Sequence, residues 1–562
     1  MGRTISIGAQ SFEFIRKNNY FFIDKTGFIK EWWENGDAVT LITRPRRFGK
    51  TLNLDMVNCF FSKRYEGRGD MFEGLAIWEE GRYRELQGSY PVIFLSFADI
   101  KGENFEETKQ GIKHTLAKLY ENYEYLRDGK NIGKRELEFF DSVSSRMPDD
   151  VAVLALKYLS DYLAAYYGQK VLIFLDEYDT PLQEAYVYGY WKELAGFIRR
   201  MFNSTFKTNP SMERAVMTGI TRVSKESIFS DLNNLEVVTT TSEKYADCFG
   251  FTEKEVFEAL EEFSMSEDKE QVKQWYDGFT FGNKRDIYNP WSIINYLDKR
   301  KVGAYWANSS SNSLVSLLLR QGNARTKTIM EDLMKGGVLE IELDEEVIFD
   351  QLQKKPGAIW SMLLASGYLK VVDRYFSSDT RRFTCCLELT NWEVEMMFED
   401  MVRGWFGAED IPYNDFIKAL LLDDVEAMNE FMNEIALTTF SSFDIVESAA
   451  KNDAPERFYH GFVLGLMVEL KGSYEVTSNR ESGFGRYDIM LIPREKCQLD
   501  PMIIEFKVRK PRKEASLEET VAAALQQIED KKYDAVLAER GFKKERIRHY
   551  GFAFERKRVL IG

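Results

Sequence analysis

Residues 43–51 read TRPRRFGKT, and Gly49, Lys50 and Thr51 supply the second half of the phosphate-loop pattern GxxxxGK[ST]. At the start of a helix, backbone amides can cradle phosphate oxygens while Lys50 reaches the terminal phosphates and Thr51 ligates magnesium. Arg44 stands where the pattern has its first glycine, and Arg47 in the same turn adds a cation for a nucleotide phosphate. Downstream, VLIFLDE at 171–177 is a hydrophobic strand ending in two carboxylates. Asp176 can hold magnesium through water, and Glu177 can polarise an attacking water. Either element alone is common. Lying about 125 residues apart in an alternating strand and helix pattern, they together point to binding of a nucleotide with Mg2+. The stretch TGITR at 218–222 closes a further strand and offers a polar sensor or Arg222 to a γ-phosphate, although a plain strand-to-loop turn accounts for it equally well.

A second group of residues lies near the C-terminus. Asp488 opens the strand DIMLI, and Glu505 and Lys507 lie in IIEFKV at 503–508. Residues i and i+2 of a strand share a face, so Glu505 and Lys507 point to one side. Asp488 and Glu505 together can ligate a hard cation such as Mg2+, and Lys507 can orient water or offset charge on a phosphoryl oxygen. In the helix that follows, Leu517, Val521, Ala524, Leu525 and Ile528 form an apolar stripe. At about 100° per residue, Gln527 falls on the edge of that stripe and Gln526 nearly opposite, which turns Gln527 towards the sheet. The alternative for an isolated ExK strand is a salt-bridged surface strand. His460 reads as a core residue, and Glu469 as a more distant candidate for the metal.

These residues need elements to position them. Short continuous apolar runs at 38–43, 91–97, 171–175 and 215–220, separated by helical stretches, predict a parallel sheet buried on both faces. The pattern divides the chain into 1–250 with the phosphate loop, a mainly helical 251–330, a connecting region at 331–454 without a readable motif, and 455–562 with the carboxylates. A length of 562 residues suits several domains with their own cores.

Composition narrows the function. Lys plus Arg is 75 and Asp plus Glu is 90, a net charge of −15 that excludes a uniformly basic nucleic-acid coat. Residues 505–562 nevertheless carry 15 basic and 10 acidic groups, so this stretch is +5 and the remainder −20. Lys543, Lys544, Arg546 and Arg548 are the expected contacts to an anionic partner, with a solvated mixed-charge tail as the plainer reading. Three histidines lie far apart and five cysteines form no CxxC, so a histidine-rich metal tract is excluded and reduced thiols are expected. No apolar run approaches a membrane span and no leader is visible, which predicts a cytoplasmic protein without a membrane partner.

At these residues the chain resembles a bacterial and archaeal family in which an AAA-ATPase-like domain precedes a PD-(D/E)XK nuclease-superfamily domain. The motifs carrying the resemblance include FIDKT at 22–26, RPRRFGKT, LDEYDTP at 175–181, the run 218–234, WYDGF at 275–279 and YNPWS at 288–292. ESGFGRYD at 481–488, IIEFK at 503–507 and ALQQI at 524–528 continue it. Arg44 in place of the first Walker A glycine departs from phosphate loops at large and agrees with these relatives. The resemblance implies a P-loop NTPase parallel sheet with a helical lid, a linker region and a restriction-endonuclease-like αβ domain. The function expected is an ATP-regulated, magnesium-dependent nuclease acting on DNA or RNA. The alternative is an ATP-driven switch or interaction protein whose nuclease-like domain only binds nucleic acid or a partner. Assembly into a homo-oligomer is left open.

Overall fold

The computed structural model describes residues 2–128, 133–220, 228–229, 232–307, 315, 318–319, 324–343, 357–377, 382–406, 413–439, 463–464, 466–467, 470, 473–478, 481–482, 485–494, 499–511, 514–555 and 558–562. They form two compact units, Met1–Leu318 with Val338–Glu395, and Leu319–Gly337 with Met396–Gly562.

In the first unit, β1 (Val39–Thr43), β2 (Val92–Ser96), β3 (Val171–Asp176), β4 (Met212–Gly219) and β5 (Leu235–Val238) make an all-parallel sheet in the order β2-β3-β4-β1-β5. Every residue of β1 and β3 is buried, as expected for a sheet covered on both faces. Ile42, Leu172, Phe174 and Val216 share a core with Leu54, Val57, Phe60 and Phe61 of the Lys50–Phe61 helix. This helix leaves β1 through the phosphate loop. In register, Ile42 pairs with Thr218 and Leu175 with Met217, so Thr43, Thr218 and Asp176 all come to the carboxyl ends of three adjacent strands. Ligands in open α/β sheets collect at such ends, where the strand order reverses.

The region expected to be mainly helical also contains a sheet. Alongside the Glu253–Glu262, Lys269–Tyr276 and Pro290–Lys299 helices, β6 (Phe251–Thr252), β7 (Phe279–Phe281) and β8 (Lys284–Tyr288) pair in the order β6-β8-β7. The departure is local chemistry: Phe279 and Phe281 alternate with Thr280 before the turn at Gly282 and Asn283, a hairpin signal that the surrounding helical spacing hides. Gly282 has φ +54°, and a Cβ there would sit 2.5 Å from the Ser242 carbonyl oxygen. β9 (Leu339–Glu342), β10 (Leu369–Ser377) and β11 (Arg382–Leu389) form a further antiparallel sheet beside the buried Ala358–Ala365 helix.

The second unit is built on β12 (Tyr474–Ser478), β15 (Ile489–Pro493), β16 (Met502–Val508), β17 (Arg548–Glu555) and β18 (Arg558–Ile561), in that order; β13 (Glu481–Ser482) and β14 (Gly485–Arg486) pair separately. Only β16 and β17 run parallel, and the Leu517–Lys531 helix lies between them in sequence and packs against both. Strand alternation divides the two faces. Ile489, Leu491, Ile504 and Phe506 meet the Tyr413–Leu422 and Val425–Thr439 helices, whereas Met490, Ile492 and Ile503 face Ile528, Tyr533 and Leu537. Asp488, Glu505 and Lys507 belong by parity to this second face.

Candidate functional sites

The phosphate loop starts at Arg44, which is fully buried. Its guanidinium donates to the carbonyl oxygens of Thr43 at 2.9 Å and Thr239 at 2.7 Å, and lies 4.5 Å from the Phe281 ring centroid. Burial pulls its pKa down to about 10. The residue replacing the motif's first glycine is thus a strut between loop, β5 exit and β7. Gly49 at φ +76° and Arg47 at φ +64° turn the chain into the helix; glycine takes that conformation freely, whereas arginine must be held in it. Arg47 stacks 4.4 Å from the centroid of Trp291.

Lys50 is buried and its Nζ donates to the carbonyl oxygens of Arg44 at 2.9 Å and Pro45 at 2.8 Å. Burial lowers its pKa, opposed by the charges of Glu177, Asp179 and Asp176. The Thr51 hydroxyl donates to Asp176 Oδ2 at 2.8 Å, and the Thr218 hydroxyl donates to Asp176 Oδ1 at 2.5 Å. Burial raises the Asp176 pKa against these two bonds and nearby Lys50. Glu177, at φ +49°, accepts from the Thr180 hydroxyl at 3.1 Å. A cavity of about 510 Å³ is lined by Arg46, Lys50, Thr51, Glu177, Trp291 and Ile294 among others. Hard oxygens of Thr51 and Asp176 beside loop amides and a lysine suit a magnesium-bound nucleotide phosphate.

The sequence reading took Thr218 only as part of TGITR and Asp179 only as part of LDEYDTP. Thr218 links the two carboxylate positions, since its hydroxyl also accepts from the Glu177 amide at 3.3 Å. Asp179 is buried and accepts from the Ile220 amide and from Gln183 Nε2, each at 3.0 Å. The motif LDEYDTP was the only signal for Asp179, because a third carboxylate past a strand end has no chemistry of its own in sequence. Arg222 lies outside the described residues, as do His460 and Glu469.

In the second unit, Ile489 pairs with Ile504, and one further step of that antiparallel register puts Asp488 opposite Glu505. Opposed residues share a face with Cβ atoms about 5 Å apart. Asp488 Oδ2 accepts from the Phe506 amide at 2.7 Å, and Glu505 is buried. Gln527 donates from Nε2 to Glu505 Oε1, and its Oε1 accepts from Lys507 Nζ at 2.7 Å. Gln526 turns outward to Asp530 at 2.9 Å. The structure therefore brings Asp488, Glu505, Lys507 and Gln527 together, and two opposed carboxylates are a donor set that a hard divalent cation accepts. Tyr533, missed in the sequence, lies 3.3 Å by its hydroxyl from Gln527 Nε2. Burial raises its pKa, and the charges of Glu505 and Asp488 add to the effect.

Two of the expected basic contacts are ion-paired within the unit. Arg546 donates to Asp500 Oδ1 at 2.8 Å and Arg548 to Asp500 Oδ2 at 2.7 Å, and both also reach backbone carbonyls. Asp500 thus ties Arg546 and Arg548 to one carboxylate, while Lys543 and Lys544 are exposed. Among the described residues, Cys59, Cys248, Cys385 and Cys386 form no disulfide, and Cys497 lies outside the described residues. Among the described residues, no helix is long and apolar enough to cross a membrane.

Residues 6–229 match the family described as predicted AAA-ATPase, and residues 454–562 match the PD-(D/E)XK nuclease superfamily. The two matches stand in the N-terminal and C-terminal arrangement that the motifs led us to expect. An uncharacterized protein from the vnfD 5' region of Azotobacter chroococcum mcd 1 is 25% identical over 578 residues, spanning 100% of this chain and 98% of that protein. The solved Aeropyrum pernix ORC2 protein (ADPNP-ADP complexes) aligns with 67% of this chain and 92% of its own at 10% identity, with a TM-score of 0.24, too low to support an argument.

Proposed function

We propose that this chain is an ATP-regulated, magnesium-dependent nuclease acting on DNA or RNA. In this reading residues 1–250 hold and hydrolyse ATP, 251–330 form a lid, 331–454 connect, and 455–562 cut nucleic acid. The observation that carries it is the group on one face of β15 and β16: Asp488 opposite Glu505, with Gln527 joining Glu505 to Lys507. Bound by the two carboxylates, magnesium would supply Lewis-acid polarisation of a phosphodiester and a nucleophilic water. The chain's own part is to hold the carboxylates in opposition and to aim the Lys507 ammonium at charge developing on the phosphoryl group. At the phosphate loop, Lys50 and the loop amides bind the nucleotide and Glu177 polarises the attacking water.

The test is purified protein with labelled DNA and RNA, with and without ATP and Mg2+, beside Glu505→Ala. Magnesium-dependent cleavage lost in the variant supports the reading. Cleavage that survives in an Asp488→Ala/Glu505→Ala double variant rules out this site. Binding without cleavage across DNA, RNA and several divalent ions favours the switch or interaction protein.

A further inference from the structure

Glu393, in the first turn of the Trp392–Phe406 helix, is distant in sequence from the phosphate loop and connected to it by hydrogen bonds within the first unit. It is 1% exposed, and its carboxylate accepts from the Ser292 hydroxyl at 2.7 Å and the backbone amide of Trp306 at 2.6 Å. Trp306 in turn donates its indole N–H to the carbonyl oxygen of Arg46 at 2.9 Å. The same oxygen accepts from Asn289 Nδ2 at 3.4 Å, and Asn289 caps the Pro290–Lys299 helix through the Trp291 and Ser292 amides. Trp306 is fixed from its sides as well, with Phe279 at 5.6 Å and Tyr368 at 5.4 Å between ring centroids.

The consequence lies in the planarity of one peptide. In a trans peptide the C=O and the following N–H point in opposite directions. Two donors on the Arg46 oxygen pull that carbonyl towards Trp306 and Asn289, so the Arg47 N–H is directed the other way. Arg47 also sits at φ +64°, a conformation that a non-glycine residue holds only when its surroundings impose it. A phosphate cradle needs its loop amides to point at the anion before the anion arrives.

We propose that Glu393 and Trp306 are positioning residues for the nucleotide site, forming a relay that holds the Arg46–Arg47 peptide with its N–H turned to the nucleotide phosphates. The inference rests on the ATP-binding reading and adds to it two residues that touch neither nucleotide nor metal. An amide on the phosphate contacts substrate and transition state alike. Its misplacement therefore raises KM and leaves kcat nearly unchanged, whereas a variant that merely unfolds a fraction of the protein lowers apparent kcat at constant KM.

The experiment measures steady-state ATP hydrolysis by the full chain for the parent, Lys50→Ala, Trp306→Phe, Glu393→Gln and the double variant. Trp306→Phe keeps a ring against Phe279 and Tyr368 and removes only the donor to Arg46, so it stands even where Glu393→Gln fails to fold. Each single variant should raise KM about three- to tenfold, the size of one lost hydrogen bond, with kcat within about twofold of the parent. Because the two act in series, the double variant should be no worse than the weaker single. An active parent and inactive Lys50→Ala with unchanged KM in Trp306→Phe overturn the relay and leave the nucleotide site standing, and additive losses also overturn it. A parent that neither binds nor hydrolyses ATP removes the reading beneath it.

Discussion

Both faces of one side-chain amide are used in the proposed nuclease site: Gln527 gives its N–H to Glu505 and its oxygen to Lys507. Removing it leaves both charged groups in place and lets each relax. We therefore expect Gln527→Ala to lose about tenfold in cleavage, where Asp488→Ala and Glu505→Ala abolish it, as read from rates on labelled nucleic acid at saturating Mg2+. Tyr533→Phe removes only the hydroxyl near Gln527, and its rate should fall less than that of Gln527→Ala. A Gln527→Ala variant as inactive as Glu505→Ala would place the glutamine among the groups that touch the reacting atoms. Gln527 was legible because helix periodicity separates it from Gln526. Tyr533 was not, because it follows the helix end, where Lys532 at φ +53° breaks the period that would have placed it.

At the scale of elements, strand order decides which residues can meet. The apolar runs predicted a parallel buried sheet, and the sheet is there. That β4 stands between the strand of the phosphate loop and the strand of Asp176 was not readable, since pairing order is a long-range property that local pattern does not encode. TGITR was therefore readable as a strand end, and the bond from Thr218 to Asp176 was not. β17 shows the same principle in packing. Gly551 pairs with Glu505, and a Cβ there would lie 2.9 Å from the Val521 carbonyl oxygen and 3.1 Å from Ala524 Cβ. Gly551→Val should lift the helix carrying Gln527 from the sheet, destabilise the second unit by about 1–3 kcal/mol and reduce cleavage, both measurable by chemical denaturation and kinetics on the same sample.

Glu393 gives the first unit a pH signature of definite sign. Burial raises its carboxyl from the ordinary 4.5 to about 7, so the fold favours the protonated form. Its contribution to stability is complete below the ordinary value and is lost as pH climbs through about 7. Asp277 is pushed up to about 7 by burial and by Asp286 and acts in the same direction. Denaturation midpoints should thus drop between about pH 5 and about pH 8 in the parent, and drop less in Glu393→Gln, which removes the Glu393 share. Equal slopes would mean that Glu393 titrates near its ordinary value.

For the whole molecule the question is what one chain gains from carrying both sites. Two modules that ignored each other would work equally well apart. Regulation in the proposed sense requires the ATP-bound and ADP-bound states to differ in free energy by an amount that cleavage or assembly also feels, and coupling of this kind is typically about 1–3 kcal/mol, or about 5- to 150-fold. The variants separate binding from turnover. Lys50→Ala removes the buried ammonium from the phosphate loop and should abolish both ATP hydrolysis and any nucleotide effect on cleavage. Glu177→Gln keeps the shape of the site and loses the carboxylate that polarises water, so it should bind ATP, hydrolyse it slowly and stay in the ATP-bound state. Cleavage and sedimentation of Glu177→Gln with ATP should then match the parent with a non-hydrolysable analogue and differ from the parent with ADP. Identical cleavage rates and identical sedimentation in all nucleotide states, for parent and both variants, would separate the two activities and leave a nucleotide site and a nuclease site that share only a polypeptide.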